Sequence, residues 1–203
     1  DVVHSGEFRT GMDYVGRNAM VVGTGNSGHD IAQDLYVSGA KTVSIMQRGP
    51  TCVLSLEPSA IISYSIYSED TPVEDTDLMV AALPNAMLLD SYKWITKKTE
   101  QYDADLIQKL NKVGFKTHNG EDNTGFQLLY LRGAGGYYID VGCSELLIDG
   151  QVGLVQYEDI AHFVADGLLL KDGRKIPLDL LVQATGFESM AEMVRRLLGD
   201  ELE

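Results

Sequence analysis

The chain has 203 residues, 44% of them hydrophobic, so it is long enough for one or two globular domains with a buried core. Its formal net charge of -14 argues against general binding to nucleic acids or to anionic membrane surfaces. No apolar run approaches the roughly 20 residues of a membrane-spanning helix. Two cysteines, Cys52 and Cys143, are too few for a disulfide framework, and no metal-ligand spacing occurs. We therefore expect a cytoplasmic protein with reduced thiols and no metal site.

Between Ala19 and Arg48 the sequence predicts a strand, a glycine-rich turn, a helix and a second strand. Residues 19–22 are apolar, and residues 42–46 are apolar and β-branched, which is typical of buried strands. Between these runs, apolar residues recur at helical spacing as far as Leu35. This order of elements is that of the βαβ unit that binds dinucleotides.

Three glycines give the predicted turn its chemistry. Gly23 lets the chain leave the strand, Gly25 lets the backbone approach a pyrophosphate, and Gly28 lets the helix pack closely on the strand. We expect the phosphates at the helix N-terminus, where free N–H groups and the helix dipole favour negative charge. Asn26 is either a ligand of the cofactor or only a turn residue. The loop residues expected to bind the cofactor are Gly23, Thr24, Gly25, Asn26, Ser27 and Gly28.

The end of the second predicted strand indicates which nucleotide binds. An NAD site usually places an acidic residue about 20 residues past the glycines, where it holds the ribose 2′-hydroxyl. Here Arg48 stands twenty residues after Gly28, and no acidic residue lies between Gly39 and Glu57. A guanidinium can pair with a 2′-phosphate through two contacts. We therefore predict NADP(H) rather than NAD, with Gln47 and Arg48 at the cofactor; the alternative for Arg48 is a solvated charge.

The middle of the chain predicts a helical insertion. Residues 63–77 lack a clear period and are expected to form a surface loop, while residues 75–98 are compatible with helix, interrupted at Pro84. Another helix is predicted over 103–113, with Asp103 as its cap.

Residues 126–131 resemble a strand, and the glycine- and tyrosine-rich residues 132–142 have two interpretations. Their glycines either let the backbone approach a cofactor or form a loop or bulge. A short strand is predicted over 152–155.

The last third of the sequence predicts a three-stranded meander over 160–164, 168–170 and 175–178. Its two turns fall at Asp-Gly pairs, which are strong hairpin signals. A final buried strand over 180–182 then leads into the sequence Ala184, Thr185, Gly186 and Phe187.

Three landmarks, in this order, resemble the flavin-containing monooxygenase family. They are HSGEFR from His4, GTGNSG followed by Arg48, and ATGF at 184–187. The family hallmark runs Phe-x-Gly-x-x-x-His and precedes the NADP-binding glycine motif. His4 matches its histidine, and its Phe and Gly would fall before residue 1. RGAGGYYIDVG resembles a stretch of the fungal and bacterial branch, and the resemblance covers nearly the whole chain.

The resemblance implies an α/β fold: a Rossmann-like βαβ NADP-binding domain with a helical insertion and a three-stranded β-meander. Residues 1–18 would be a linker from an FAD-binding domain outside this chain, 19–183 the NADP-binding domain, and 184–203 a return segment with a helical pattern over 190–198. FAD would be bound mainly by that outside domain. The return segment would bring three further residues to the cofactors: Ala184, Thr185 and Gly186.

The resemblance also implies an activity. The full-length enzyme would use NADPH and O2 to oxygenate a small-molecule substrate through a C4a-hydroperoxyflavin, and this chain alone would be inactive. We assign no catalytic residue, because no acid, base or nucleophile constellation is visible. Exposed apolar surface at the domain border gives the chain a motive for self-association.

Two alternatives remain at this point. The first is another FAD- and NAD(P)H-dependent oxidoreductase of the disulfide-reductase kind, which the lack of a CxxC disfavours, although that motif could lie outside this chain. The second is a stand-alone, non-catalytic NADP-binding module.

Overall fold

Strands and helices alternate through most of the chain. The computed structural model describes residues 1–120 and 122–199. The strands are β1 Val2–His4, β2 Asn18–Val22, β3 Thr42–Gln47, β4 Cys52–Ser55, β5 Tyr137–Asp140, β6 Gly153–Gln156, β7 Ile160–Val164, β8 Gly167–Leu170, β9 Lys175–Pro177 and β10 Leu180–Gln183. The α-helices are α1 Asn26–Val37, α2 Val73–Ala81, α3 Asn85–Tyr102, α4 Ala104–Lys112, α5 Gly125–Gly133, α6 Cys143–Ile148 and α7 Met190–Leu198.

A five-stranded parallel sheet in the order β1-β10-β2-β3-β6 organises the fold. In its centre Val22 of β2 pairs with Gln183 on one side and with Met46 on the other. Since all five strands run the same way, the segments that follow them emerge at one edge of the sheet. The expected linker over residues 1–18 contributes β1 to this sheet.

The two faces of the sheet are covered differently. Ala19 and Val21 of β2 pack into one core together with helices α1 and α6, whereas Met20 between them packs into a second core. That second core is closed by Leu168 and Leu170 of the meander β7-β8-β9. Successive residues of a strand point to opposite faces, which explains why residues 19–22 of β2 are all apolar. The predicted βαβ unit and meander are confirmed.

The insertion contains helices α2–α5 and a two-stranded parallel sheet of β4 and β5. Its predicted interruption at Pro84 is confirmed, because Pro84 is the N-cap of α3. Its predicted loop over 63–77 is wrong at the end, since α2 begins at Val73. The structure also forms β4, β5 and α6, which were not predicted from the sequence.

The strand predicted over 126–131 is wrong, since these residues belong to α5. Phe126 and Tyr130 favour strands by propensity, but Phe126 packs against Tyr137 of β5 at a ring-centroid distance of 5.7 Å. Helix α3 also contacts α5. Tertiary contacts therefore override a weak local preference.

The predicted helix over 103–113 is confirmed as α4 with Asp103 at its N-cap position, but the Asp103 side chain makes no capping hydrogen bond. The Asp103 carboxylate instead accepts a hydrogen bond from the backbone N–H of Ser55 at 3.0 Å. An N-cap side chain is free for another partner when tertiary structure offers a stronger one.

The helical pattern over 190–198 is confirmed as α7, which Ser189 caps by accepting from the N–H of Glu192. Residues 200–203 of the predicted return segment lie outside the described residues. None of the described helices combines the length and apolar character needed to cross a bilayer.

Candidate functional site

The loop between β2 and α1 lies at the carboxyl edge of the sheet, between the segments that follow β10 and β3. The N–H of Gly23 donates to the carbonyl of Met46 at 3.1 Å, and the N–H of Ala184 donates to the carbonyl of Val22 at 2.9 Å. The structure therefore brings the predicted glycine loop, strand end and ATGF sequence to one edge, as parallel strand order requires.

The three glycines of the loop differ in what surrounds them. Gly23 has a φ of +116°, and a β-carbon there would overlap the carbonyl oxygen of Ala184. A β-carbon at Gly28 would overlap the carbonyl oxygen of Gly23. At Gly25 the nearest atom to a β-carbon would be the carbonyl oxygen of Tyr137, at 3.6 Å. The fold itself thus requires Gly23 and Gly28, whereas a β-carbon at Gly25 would make only an ordinary van der Waals contact.

Helix α1 begins at Asn26, with Gly25 as its N-cap and no acidic residue in its first turn. Gly25 has no side chain that could accept from the first N–H groups of the helix. Ser27 in the first turn is exposed. The positive end of the α1 dipole therefore faces the loop without a side-chain acceptor, which favours an anion there.

Asn26 ties the loop to the insertion. Its Oδ1 accepts from the backbone N–H of Ile139 in β5 at 2.9 Å. Its amide nitrogen donates to none of the residues that the structure describes. Asn26 is therefore a cross-element tether, a role that neither interpretation of the sequence included, and its two amide hydrogens stay available to a ligand.

The glycine- and tyrosine-rich stretch 132–142 lies against the glycine loop through β5. Besides the Asn26 contact, the carbonyl oxygen of Tyr137 is the atom that a β-carbon at Gly25 would meet, at 3.6 Å. Part of this stretch thus forms a strand whose backbone closes one side of the loop.

His29, which the sequence did not single out, lies beneath the loop. Its side chain is buried, its Nδ1 hydrogen-bonds the carbonyl of Gly25 at 3.1 Å, and its ring stacks on Tyr138 with centroids 3.7 Å apart. Burial lowers the pKa of His29 from 6.5 to about 4. A neutral imidazole with its proton on Nδ1 therefore supports the loop from below. Its only sequence signal was its position on the buried face of α1.

Tyr138 is held in place from its other end. Its hydroxyl donates to Asp140 at 3.0 Å and accepts from the N–H of Val141 at 3.2 Å. Burial raises the pKa of Tyr138 far above its ordinary value. His29 thus stacks on a neutral phenol ring whose hydroxyl is held by hydrogen bonds.

Gln47 is fully buried at the end of β3. Its Oε1 accepts from the N–H of Lys116 at 2.8 Å and from the side chain of Gln156 at 2.9 Å. Its Nε2 donates to the carbonyl of Lys116 at 2.9 Å and weakly to Thr51 at 3.5 Å. The side chain expected at the cofactor is therefore used in fixing the segment around Lys116.

Thr24 has its hydroxyl 2.6 Å from that of Thr51. The residue after Gly23 is thus anchored to the segment that follows Arg48. Arg48 itself is exposed, and no carboxylate of the described residues forms an ion pair with it. Because Val22 pairs with Met46, Arg48 and Thr24 stand two residues beyond a matched pair, at the same edge. This guanidinium is available to an anion bound at the loop.

The first and third landmarks meet at the next strand. His4 at the end of β1 donates from Nε2 to the carbonyl of Gly186 at 3.0 Å and accepts at Nδ1 from the N–H of Gly6 at 3.1 Å. Its ring contacts Phe187 edge-on, with centroids 5.0 Å apart. Ala184 and Thr185 follow β10 beside Gly23, and Gly186 has a φ of +89° with no atom within 4 Å of where a β-carbon would be.

The two cysteines are both buried and free. Burial, aided by Asp103 for Cys52 and by Asp140 for Cys143, raises each pKa to about 12. Such thiols are poor nucleophiles. Across residues 1–120 and 122–199, no group of three or more His, Cys, Asp or Glu side chains has a metal-binding arrangement.

No protein-family model matches the chain. It is 28% identical over 190 residues to probable indole-3-pyruvate monooxygenase YUCCA3 of Arabidopsis thaliana, covering 93% of this chain and 38% of the relative. It is 24% identical over 192 residues to probable FAD-binding monooxygenase AlmA of an Acinetobacter species, covering 92% of this chain and 37% of that protein. The chain thus spans about two fifths of the curated relatives it matches.

The fold is found in solved flavoenzyme structures. A cyclohexanone monooxygenase mutant from Rhodococcus sp. Phi1 bound to NADP+ superposes with a TM-score of 0.57 at 18% identity, over 96% of this chain and 44% of that enzyme. Likeness at this identity shows the fold alone, and the curated relatives add the sequence relationship. In sequence and in fold the chain is similar to the flavin-dependent monooxygenases, which confirms the resemblance read from its three landmarks.

Proposed function

We propose that this chain is the NADP(H)-binding part of a flavin-dependent monooxygenase that uses NADPH and O2 to oxygenate a small-molecule substrate. The observation that carries the proposal is the start of α1, which has no side-chain cap and where a side chain is missing at Gly25. It lies at the same edge of the sheet as Arg48, which pairs with no carboxylate of the described residues. Supporting it, the curated relatives are named as monooxygenases, some of them FAD-binding, and one structure of the same fold is described as bound to NADP+.

The residues present fit a dinucleotide phosphate. The backbone at Gly25 admits a pyrophosphate because no side chain fills that space, and the N–H groups at the start of α1 would donate to it. The free amide hydrogens of Asn26 would add a donor on the β5 side. Arg48 would pair with the 2′-phosphate. When bound, NADPH supplies the hydride that reduces FAD.

Other residues at this edge would act by positioning. Gln47 holds the segment around Lys116, and His29 holds the carbonyl of Gly25, so neither needs to touch the nucleotide. Ser27 and the ATGF residues Ala184, Thr185 and Gly186 complete the proposed cofactor border. FAD would be bound mainly by parts of the protein outside this chain, with ATGF at the boundary.

Nucleotide preference tests the proposal. We expect Arg48→Ala to weaken NADPH binding by roughly 10- to 150-fold, because one charge-assisted phosphate contact contributes about 1.5–3 kcal/mol. NADH binding should change little. Isothermal titration calorimetry of both nucleotides measures this directly.

Arg174→Ala is the matched control for that experiment. Arg174 is an exposed arginine of the meander that pairs with Asp172, far along the chain from the glycine loop. This variant should keep the NADPH affinity of the unmodified chain. If Arg48→Ala keeps the same preference for NADPH over NADH, the assignment of Arg48 fails.

The two alternatives, a disulfide reductase and a stand-alone NADP-binding module, are distinguished by different observations. Within this chain neither Cys52 nor Cys143 is the accessible redox thiol of a disulfide reductase, because both are buried with raised pKa values. A stand-alone NADP-binding module would carry no flavin. Purification of the full-length gene product with stoichiometric FAD would exclude that module, and a colourless full-length product would exclude the monooxygenase.

Three further predictions belong to the proposed function. The domain boundaries at residues 18 and 183, the cytoplasmic location and self-association of the isolated chain belong to it as predictions. Exposed apolar side chains of α7, among them Met190 and Leu197, favour self-association.

A further inference from the structure

A segment of the insertion around Lys116 runs beside the turn that follows β3 and contains Arg48. At one end of this turn, Gln47 accepts from the N–H of Lys116 at 2.8 Å and donates to its carbonyl at 2.9 Å. At the other end, the N–H of Thr51 donates to the same carbonyl at 3.0 Å. The backbone of Lys116 is therefore fixed to both ends of the turn in which Arg48 stands.

The side chain of Lys116 extends from this fixed backbone to the end of β6. Its Nζ donates to the carboxylate of Glu158 at 2.9 Å. Strand β6 pairs with β3 in the main sheet, where Gln156 stands opposite Gln47 and also donates to its side chain. Since parallel strands end at one edge of a sheet, the ammonium of Lys116 lies at the same edge as Arg48 and the glycine loop.

The charge of the expected ligand calls for more than one cation. A phosphate monoester such as the ribose 2′-phosphate carries roughly −1.5 to −2 charges at pH 7, so one guanidinium does not neutralise it. Arg48 supplies one positive charge and pairs with no carboxylate of the described residues. Lys116 carries a second positive charge on a flexible four-carbon stem, and its side chain is 42% exposed.

The ion pair of Lys116 with Glu158 is easily exchanged. The Glu158 side chain is 69% exposed, and exposed ion pairs are weak because water and salt screen them. The hydrogen bond from Lys116 lowers the pKa of Glu158, and Lys171 nearby lowers it further. The N–H of Lys171 donates to the carbonyl of Asp159 at 2.8 Å, which keeps this second lysine beside Glu158. Glu158 thus retains a neighbouring cation when Lys116 turns to another anion.

We propose that Lys116 is a second ligand of the 2′-phosphate of NADP(H), acting together with Arg48. Glu158 holds the ammonium of Lys116 at this edge until the phosphate replaces it. NADH has no 2′-phosphate, so with that nucleotide Lys116 stays paired with Glu158. The proposal rests on the proposed function, because it needs the nucleotide at this edge, and it makes the helical insertion a determinant of nucleotide choice.

Two substitutions in the same ion pair test the proposal, because they should act in opposite directions. Lys116→Met keeps the stem and loses the charge, and should weaken NADPH binding by roughly tenfold or more. Glu158→Gln removes the competing carboxylate and should strengthen NADPH binding by about two- to fivefold. NADH binding should change little in either variant. Isothermal titration calorimetry with both nucleotides measures these effects.

The ion pair of Lys175 with Asp166 in the meander is the matched control. Its side chains are 45% and 74% exposed, close to those of Lys116 and Glu158. The carbonyl of Asp166 accepts from the N–H of Leu178, just before β10, so this pair lies towards the opposite edge of the sheet. Lys175→Met and Asp166→Asn make the same changes of charge, and neither should alter the preference for NADPH by more than about twofold.

The outcomes separate this inference from the proposed function. If Arg48→Ala weakens NADPH binding and Lys116→Met does not, the assignment of Lys116 fails while the proposed function stands. If Glu158→Gln weakens NADPH binding as much as Lys116→Met, the ion pair itself is what matters and the assignment also fails. A chain that shows no preference for NADPH overturns both. The hydrogen bonds that fix Lys116 use its backbone, so both variants should fold, which circular dichroism checks.

Discussion

Two buried glutamines show how the glycine-loop edge differs from the insertion. Gln47, at the loop edge, uses both ends of its amide within the protein, whereas Gln127, in the insertion, uses only its nitrogen. The end of β3 is thus fixed by hydrogen bonds within the protein before any ligand binds. In the insertion, the buried Oε1 of Gln127 accepts from no described residue, although buried polar atoms are normally hydrogen-bonded.

The apolar side chains of the two regions differ in the same way. Helix α1 buries Ile31 and Leu35 against the sheet, whereas Thr76 of α2 and Thr96 of α3 are the buried residues of those insertion helices. Large apolar side chains of α2 and α3 are exposed instead, including Leu78, Met87 and Trp94. Contiguous exposed apolar surface marks interaction sites. The comparison indicates that α1 buries more of its apolar side chains within the fold than α2 and α3 do.

The largest effect on stability is expected from substituting Gly28, where the loop has no room for a side chain. Gly28→Ala should destabilise the chain by roughly 3 kcal/mol or more, because its methyl group would overlap the carbonyl of Gly23, a backbone atom that cannot move aside. Gly133→Ala in the insertion helix α5 has open space and should be neutral or stabilising by up to about 1 kcal/mol. Urea unfolding monitored by circular dichroism measures both.

Gly25→Ala sharpens this test within the loop itself. Its methyl group has room, so stability should stay near that of the unmodified chain. A loss at Gly25 as large as that at Gly28 would contradict the distinction between the two glycines.

Acidification should lower the free energy of unfolding through the buried His29. Because burial holds the pKa of His29 at about 4, below the 6.5 of an unfolded histidine, the unfolded chain binds more protons between these pH values. Stability should therefore fall as pH decreases from 6.5 to 4, by roughly 3 kcal/mol from this residue, since one pKa unit corresponds to about 1.36 kcal/mol. Urea unfolding at pH 7 and at pH 4.5 measures the loss.

His29→Gln keeps a hydrogen-bond donor but cannot titrate, so its stability should depend less on pH than that of the unmodified chain. His162→Gln is the control, since His162 is an exposed residue of β7. If His29→Gln and the unmodified chain lose equal stability on acidification, His29 is not the group responsible.

The smallest effect is expected on the exposed face of the insertion. Trp94 is 58% exposed, and its ring has the Nζ of Lys98 5.8 Å from its centroid. Trp94→Ser should change stability by no more than about 0.5 kcal/mol, as is usual for surface substitutions. The fully buried Leu35 of α1 is the contrasting site, and Leu35→Ala should cost about 2–5 kcal/mol. A cost above about 1 kcal/mol at Trp94 would contradict this difference between α1 and α3.

The sequence alone determined the βαβ unit, the meander and the edge at which the candidate site lies. These features depend on residues close together in the chain: alternating and helical apolar patterns around Gly23, Gly25 and Gly28, and Asp-Gly turns. The position of Arg48 could also be predicted, because the strand that ends there follows directly from α1. Local patterns suffice where each element lies beside the next one in sequence.

Only the tertiary structure decided the rest. Strand β4 pairs with β5 across the whole helical insertion, so no local pattern announced either strand, and α5 became a helix because Phe126 packs on β5. Distant contacts also stacked Tyr138 on His29, hydrogen-bonded Gln47 to Lys116 and directed the Asp103 side chain to Ser55. The hydrogen bond from His29 to the carbonyl of Gly25 is local, within the first turn of α1. A side chain's hydrogen-bond partner depends on which backbone groups the fold brings within reach. For Gln47 and Asp103 those backbone groups belong to segments distant in sequence.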